Sequence, residues 1–199
     1  MASEGVLTTL RAGWNALSGI AAPKAVIGGL ALTAWNHVRY TRDADVLVAI
    51  DAGRIDDLVR ALTAAGFRAR HVPPLRILDG QGIIQFTFQP PDALLPFQFD
   101  VLLVSGDFQK EAVDRAVPWP ALTDARDLRV VQPDDLVVIK LLAGRLIDRA
   151  DAAMLLRENR EAIDFVRLHR EVVGQGISAE YRQVWSDAFP SEPMPHLEG

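Results

Sequence analysis

The amino-acid sequence predicts an α/β (α+β) fold, a mixed sheet flanked by helices and followed by a helical C-terminal region. Three observations carry that prediction. Short apolar runs bounded by glycine and proline alternate with helix-spaced segments through the first two-thirds of the chain. From Pro133 onward only helical patterns remain. The chain has 199 residues, 49% hydrophobic and 24% charged, enough length and an ordinary enough composition to bury a core. The expected division is an α/β core over residues 1–132 and a helical region over 133–199 packed on it.

Each element has its own warrant. Leu7, Leu10, Trp14 and Leu17 form one stripe of a helix over residues 7–17. Residues 24–27 read as a short buried strand stopped by Gly28-Gly29, and a helix over 30–37 starts directly after the glycines. Residues 43–50 are strand-like, rich in Val, Leu and Ile. Ile55, Leu58, Val59 and Leu62 have helical spacing, with Gly66 placed as the cap. Ile84, Phe86 and Phe88 alternate with Gln85, Thr87 and Gln89 in a half-buried strand over 83–89. Prolines 90, 91 and 96 punctuate the link to another strand over 97–104, and a short helix follows over 107–116. Pro133 suits the first position of a helix, and Asp134 and Asp135 suit its positive end. Further helices are expected over 136–142, from near Asp148, and around Phe165, Leu168, His169 and Val172. The Pro-rich residues 190–199 are expected to fray.

Composition excludes several function classes. The chain lacks cysteine, so disulfide frameworks, thiolate nucleophiles and Cys-based zinc sites are out together. Four scattered histidines leave little for a His-rich metal site: His71, His169 and His196 have no partner at ligand spacing, and His37 reads as a helix-end residue. A net charge of −5 gives no overall electrostatic footprint for nucleic acid, although a local basic patch stays open. The N-terminus lacks the basic start and apolar run of a signal peptide, and no apolar stretch is long enough to span a membrane, so a cytoplasmic protein without a membrane partner is expected.

The chemistry-bearing stretch is Ile27-Gly28-Gly29-Leu30-Ala31, then Arg39-Tyr40-Thr41-Arg42-Asp43-Ala44-Asp45. It reads as strand, glycine turn, helix, loop, strand. Side chains alternate along a strand, so Asp43 and Asp45 point the same way. Two neighbouring carboxylates repel unless a cation bridges them, and Mg²⁺ suits hard oxygen ligands while keeping positions for phosphate oxygens. The Gly28-Gly29 turn offers backbone N–H groups at a helix start, and glycine lets a phosphate approach closely. Asp100 is the one charge in the strand over 97–104. If that strand neighbours the Asp43 strand, Asp100 completes a carboxylate triad of the kind that holds two metals. Arg39 and Arg42 flank the metal motif; one of them is placed to neutralise phosphate, and the other reads as solvated surface. Lys140 sits in a helix apolar on nearly all sides, so its ammonium must reach water or meet an anionic group, a triphosphate or a carboxylate. Asp148 is read as an N-cap, with Asp151 near the positive end of the same helix.

The glycine pair, the Asp-x-Asp strand that begins after thirteen intervening residues, and a lone Asp on a later strand resemble the nucleotidyltransferase superfamily, whose fold is shared with DNA polymerase beta. The run Arg39-x-Thr41-x-Asp43-x-Asp45 and the later Pro133-Asp134-Asp135-Leu136, Lys140, Arg145, Asp148 and Asp151 are similar to small bacterial nucleotidyltransferase-like proteins related to the toxin half of abortive-infection toxin–antitoxin pairs. The resemblance covers roughly residues 20–160. It implies a nucleotidyltransferase-like sheet and transfer of a nucleoside monophosphate from an NTP to an acceptor hydroxyl on RNA, protein or a small molecule. It implies Asp43, Asp45 and Asp100 as metal ligands and catalytic groups, with Mg²⁺, or Mn²⁺ in its place. It implies Gly28, Gly29, Arg39 and Lys140 as the nucleotide-binding set. An antitoxin is the partner it suggests. Leu30 stands where many relatives have Ser or Thr, which leaves the phosphate cradle to backbone groups. The alternative from another class is a non-catalytic module that binds nucleotide or a partner in a toxin–antitoxin or regulatory system.

Overall fold

The computed structural model describes residues 4–78, 80–119 and 127–194. In chain order the elements are α1 (Glu4–Ala16), β1 (Lys24–Ile27), α2 (Gly28–Ala34), β2 (Asp43–Val48), α3 (Ile55–Ala64), β3 (Arg68–Ala69), β4 (Leu75–Leu78), β5 (Gln81–Phe88), β6 (Phe97–Leu103), α4 (Asp107–Asp114), β7 (Val117–Pro118), β8 (Arg129–Val130), α5 (Pro133–Ala143), α6 (Leu146–Glu158), α7 (Phe165–Gly174) and α8 (Ser178–Ala188). Two compact units result: Met1–Ala34 with Val38–Val131, and Trp35–His37 with Gln132–Gly199.

The first unit is built on one mixed sheet, with strand order β3-β5-β6-β2-β1-β8-β7 and β4 paired to β5 beside β3. The β2–β6 pair is parallel, and β1–β2 and β5–β6 are antiparallel. All four strands singled out in the sequence therefore share this sheet. The alternation read over 83–89 is a register: Ile84, Phe86, Phe99 and Val101 are buried on one face, while Gln85, Thr87 and Gln98 are half-buried on the other. Helix α1 packs on β2 and β6 and buries Val6, Leu10 and Trp14. Phe67, just after α3, sits at the centre of the aromatic core, 5.2 Å from Phe99 and 6.4 Å from Phe86 between ring centres. The helix expected over 30–37 instead spans Gly28–Ala34, so the glycines belong to it. Strands β3, β4, β7 and β8 carry no sequence signal, because two to four residues are too few to establish a period.

In the second unit every described element is a helix. Pro133 opens α5, as its sequence predicts, and Gly144 closes it in the left-handed conformation at φ +69°. Lys140 and Asp151 thus lie on separate helices. Helix α6 packs along α5, and the ammonium of Lys140, buried in this helix pair, is bound by Asp148 Oδ1 and Asp151 Oδ2 at 2.9 Å each. Asp148 is not an N-cap: Arg145 holds that position. Burial pushes the Asp148 carboxyl up, but hydrogen bonds and charge from Arg145 and Lys140 outweigh it and hold the group below its usual range. His37 Nε2 lies 3.3 Å from the other oxygen of Asp151. His169 meets the Tyr181 hydroxyl at 3.1 Å inside an aromatic cluster with Phe165 and Trp185, and burial raises the Tyr181 pKa and lowers that of His169. His196 and the tail residues 195–199, where fraying is expected, lie outside the described residues.

Candidate active site

The sheet register assembles the carboxylates. Asp43 and Asp45 are two apart in β2 and so project to one face. Asp45 pairs in register with Asp100 of the parallel strand β6, and Asp100 pairs with Gln85 of β5. On its other side Asp45 is opposite Ile27, the residue before the glycine turn. One rung across the sheet thus reads Ile27, Asp45, Asp100, Gln85. Two rungs along, the next on the same face reads Asp43, Gln98, Thr87, Arg68.

The glycine turn is shaped by these side chains. Gly28 has φ +65°, and a Cβ placed on it would fall 1.9 Å from Asp45 Oδ2. A Cβ on Gly29 would fall 2.7 Å from Thr41 Oγ1. The first glycine therefore seats the Asp45 carboxylate, and the second seats a threonine whose hydroxyl donates to Asp43 Oδ1 at 2.6 Å. Thr41 is buried, so this contact fixes Asp43 from below the strand start. Arg39 is half-buried in the same loop and donates to the Tyr40 carbonyl at 3.2 Å.

Asp100 is only 6% exposed. Its Oδ2 accepts from Gln98 Nε2 at 2.8 Å and Gln85 Nε2 at 3.2 Å, while its Oδ1 is buried without a hydrogen-bond partner. Burial raises its pKa, the two amides oppose that rise, Asp43 adds to it and Arg70 opposes it. Behind the amides stand two more groups. Arg70 donates to Gln98 Oε1 at 2.6 Å, and His71 Nε2 lies 3.1 Å from Gln85 Oε1.

The structure therefore brings Asp43, Asp45 and Asp100 to one face beside Gly28. Among the described residues no three His, Cys, Asp or Glu side chains are already gathered as a metal cluster. The donor set nonetheless suits a divalent cation: three hard carboxylates in adjoining rungs, one with an unsatisfied buried oxygen. Of the anions its sequence context allows, Lys140, which the resemblance puts in the nucleotide-binding set, meets carboxylates: two buried aspartates of its own unit hold its ammonium. Gln85, Gln98, Arg70 and His71 were not legible as site residues. Gln85 and Gln98 look in sequence like the solvent half of an alternating strand, and only the register turns them toward Asp100.

Neither a family model nor a curated protein matches the sequence. Solved structures do. A candidate nucleotidyltransferase from H. pylori aligns over 98% of this chain and 86% of its own, with TM-score 0.56 and 16% identity. An antigenic nucleotidyltransferase-like protein from Paracoccidioides brasiliensis aligns over 98% and 96%, with TM-score 0.56 and 15% identity. The antibiotic-resistance factor ANT(2'')-Ia aligns over 89% and 96%, with TM-score 0.55 and 16% identity. The chain has the nucleotidyltransferase fold. Among the described residues no helix is long and apolar enough to cross a membrane.

Proposed function

We propose that this protein is a nucleotidyltransferase that moves a nucleoside monophosphate from an NTP to an acceptor hydroxyl. The observation that carries the reading is the rung in which Asp45 and Asp100 stand side by side, with Asp43 on the same face and Gly28 closed around Asp45. A single carboxylate on a strand needs no explanation beyond solvation. Three on one face, one of them buried with an oxygen unsatisfied, are costly unless a ligand compensates.

Asp43, Asp45 and Asp100 would hold Mg²⁺, which when bound lowers the pKa of an acceptor hydroxyl and offsets charge on departing pyrophosphate. Thr41 and Gly28 fix the first two carboxylates, so little reorganisation is needed when phosphate arrives. Asp100 Oδ1 is the free acceptor for the proton of the attacking hydroxyl, and the raised pKa of Asp100 suits it to that task. The Gly28 and Gly29 backbone and Arg39 are the phosphate contacts in this reading. The fold of the neighbours supports it, and all three carboxylates are present in this chain.

Thermal unfolding with Mg²⁺ and a non-hydrolysable NTP tests the binding half of the proposal. The pair together should raise the melting temperature more than either alone, and Asp43→Asn should remove the synergy. An equal effect of NTP with and without Mg²⁺ would count against it.

A further inference from the structure

Resting on the nucleotidyl-transfer reading, we infer that the sheet edge over residues 68–78 is the acceptor subsite and that it takes a phosphate-bearing acceptor. The register places three arginines there on the carboxylate face. Arg68 of β3 is opposite Thr87, in the rung of Gln98 and Asp43. Arg70 hydrogen-bonds the Gln85 carbonyl through its backbone and reaches Gln98 with its side chain, in the rung of Asp100 and Asp45. Arg76 of β4 is opposite Ile83, in the rung of Leu102 and Leu47. These arginines are exposed, and no acidic residue occurs between positions 68 and 78.

Several other arginines of the chain are held by carboxylates. Elsewhere Arg60 pairs with Asp57, Arg145 with Asp148, Arg160 with Glu192 and Arg167 with Asp134. Among the described residues no carboxylate lies within ion-pair distance of Arg68, Arg70 or Arg76. In a chain of net charge −5 this edge is a local concentration of positive charge.

The position on the sheet gives it a role. Gly28 and β1 flank Asp45 on one side, and β6, β5 and the arginine edge extend on the other. With the nucleotide phosphates at Gly28, the acceptor must approach Asp100 from the β5 side. Strands are about 4.8 Å apart, so the edge lies roughly 10 Å from Asp100. An acceptor whose hydroxyl sits at Asp100 can lay an anionic group of that reach on the arginines, where guanidinium and phosphate match in shape and charge. A polycationic acceptor would meet repulsion there.

The test measures binding without transfer. A fluorescent single-stranded oligonucleotide is titrated with the full-length protein in metal-free buffer lacking NTP, across a salt series. Wild type should bind with a salt-dependent constant. R68E/R76E should weaken binding at least about tenfold, and the milder R68Q/R76Q should flatten the log–log salt slope by roughly 1.4, two phosphate contacts on a single strand. Glycerophosphate competition separates the sources: displacement of the oligonucleotide identifies a small phosphate ester as sufficient, and its absence identifies a nucleic-acid strand. Either result supports a phosphate-bearing acceptor. Wild-type affinity in R68E/R76E overturns the inference, as does a wild-type protein that binds neither probe. Because no catalysis is involved, arginine-dependent binding alongside absent nucleotidyl transfer would fault the catalytic reading alone.

Discussion

Replacing Gly28 by Ala tests whether this glycine exists to seat Asp45. Two costs follow from the geometry. The residue sits at φ +65°, a left-handed conformation that costs an L-residue roughly 1–2 kcal/mol. The new methyl would fall 1.9 Å from Asp45 Oδ2, and overpacking of that kind costs about 1–3 kcal/mol as the neighbour is pushed aside. Gly28→Ala should therefore destabilise the protein by about 2–5 kcal/mol. The two terms separate in a double-mutant cycle with Asp45→Gly, which removes the three atoms nearest the new methyl and leaves the backbone strain. In that background the same change should cost only about 1–2 kcal/mol, so the coupling energy is about 1–3 kcal/mol. Equilibrium urea unfolding of the four proteins in metal-free buffer measures it. A coupling within about 0.5 kcal/mol of zero would refute the seating of Asp45 against Gly28.

Three further outcomes are expected. Lys140→Met should cost about 3–5 kcal/mol, because it removes the buried cation that Asp148 and Asp151 share, and adding Asp148→Asn and Asp151→Asn should recover much of that in denaturant melts. Asp100→Asn should stabilise the metal-free protein at neutral pH. The folded pKa of Asp100 is raised, so its contribution is fully present below the unfolded value of about 3.9 and is lost as pH rises through the folded value; the advantage of the variant should open over that interval and vanish in acid. Thr41→Val should leave the fold intact but lower nucleotidyl transfer by roughly tenfold, since one hydrogen bond to the Asp43 carboxylate is worth about 1.5 kcal/mol or more.

Much of this architecture was readable because it repeats locally. The strands carrying Asp43 and Asp100 announce themselves by β-branched runs and alternation, and Pro133 with the paired aspartates marks a helix start. Adjacency is not local. That Asp100 stands beside Asp45 depends on β6 inserting between β2 and β5, a choice made by the whole sheet. Lys140 illustrates the same boundary. A lysine in an apolar helix must meet an anion, but the sequence cannot say which one. The left-handed Gly144 ends α5, and α6 packs back along it, bringing Asp148 and Asp151 to the ammonium before any phosphate is considered. Gln85 and Gln98 are the counterpart on the sheet: solvent-side residues by alternation, but amide donors to Asp100 by register.

The central claim is that Asp43, Asp45 and Asp100 carry nucleotidyl transfer. Pyrophosphate release from NTPs by the purified protein, measured with Mg²⁺ over a panel of RNA, protein and small-molecule acceptors, tests it most directly. The account predicts Mg²⁺-dependent, acceptor-dependent release that falls at least about a hundredfold in Asp43→Asn, Asp45→Asn and Asp100→Asn, with each variant as well folded as wild type. Release that persists unchanged in the three variants would contradict it.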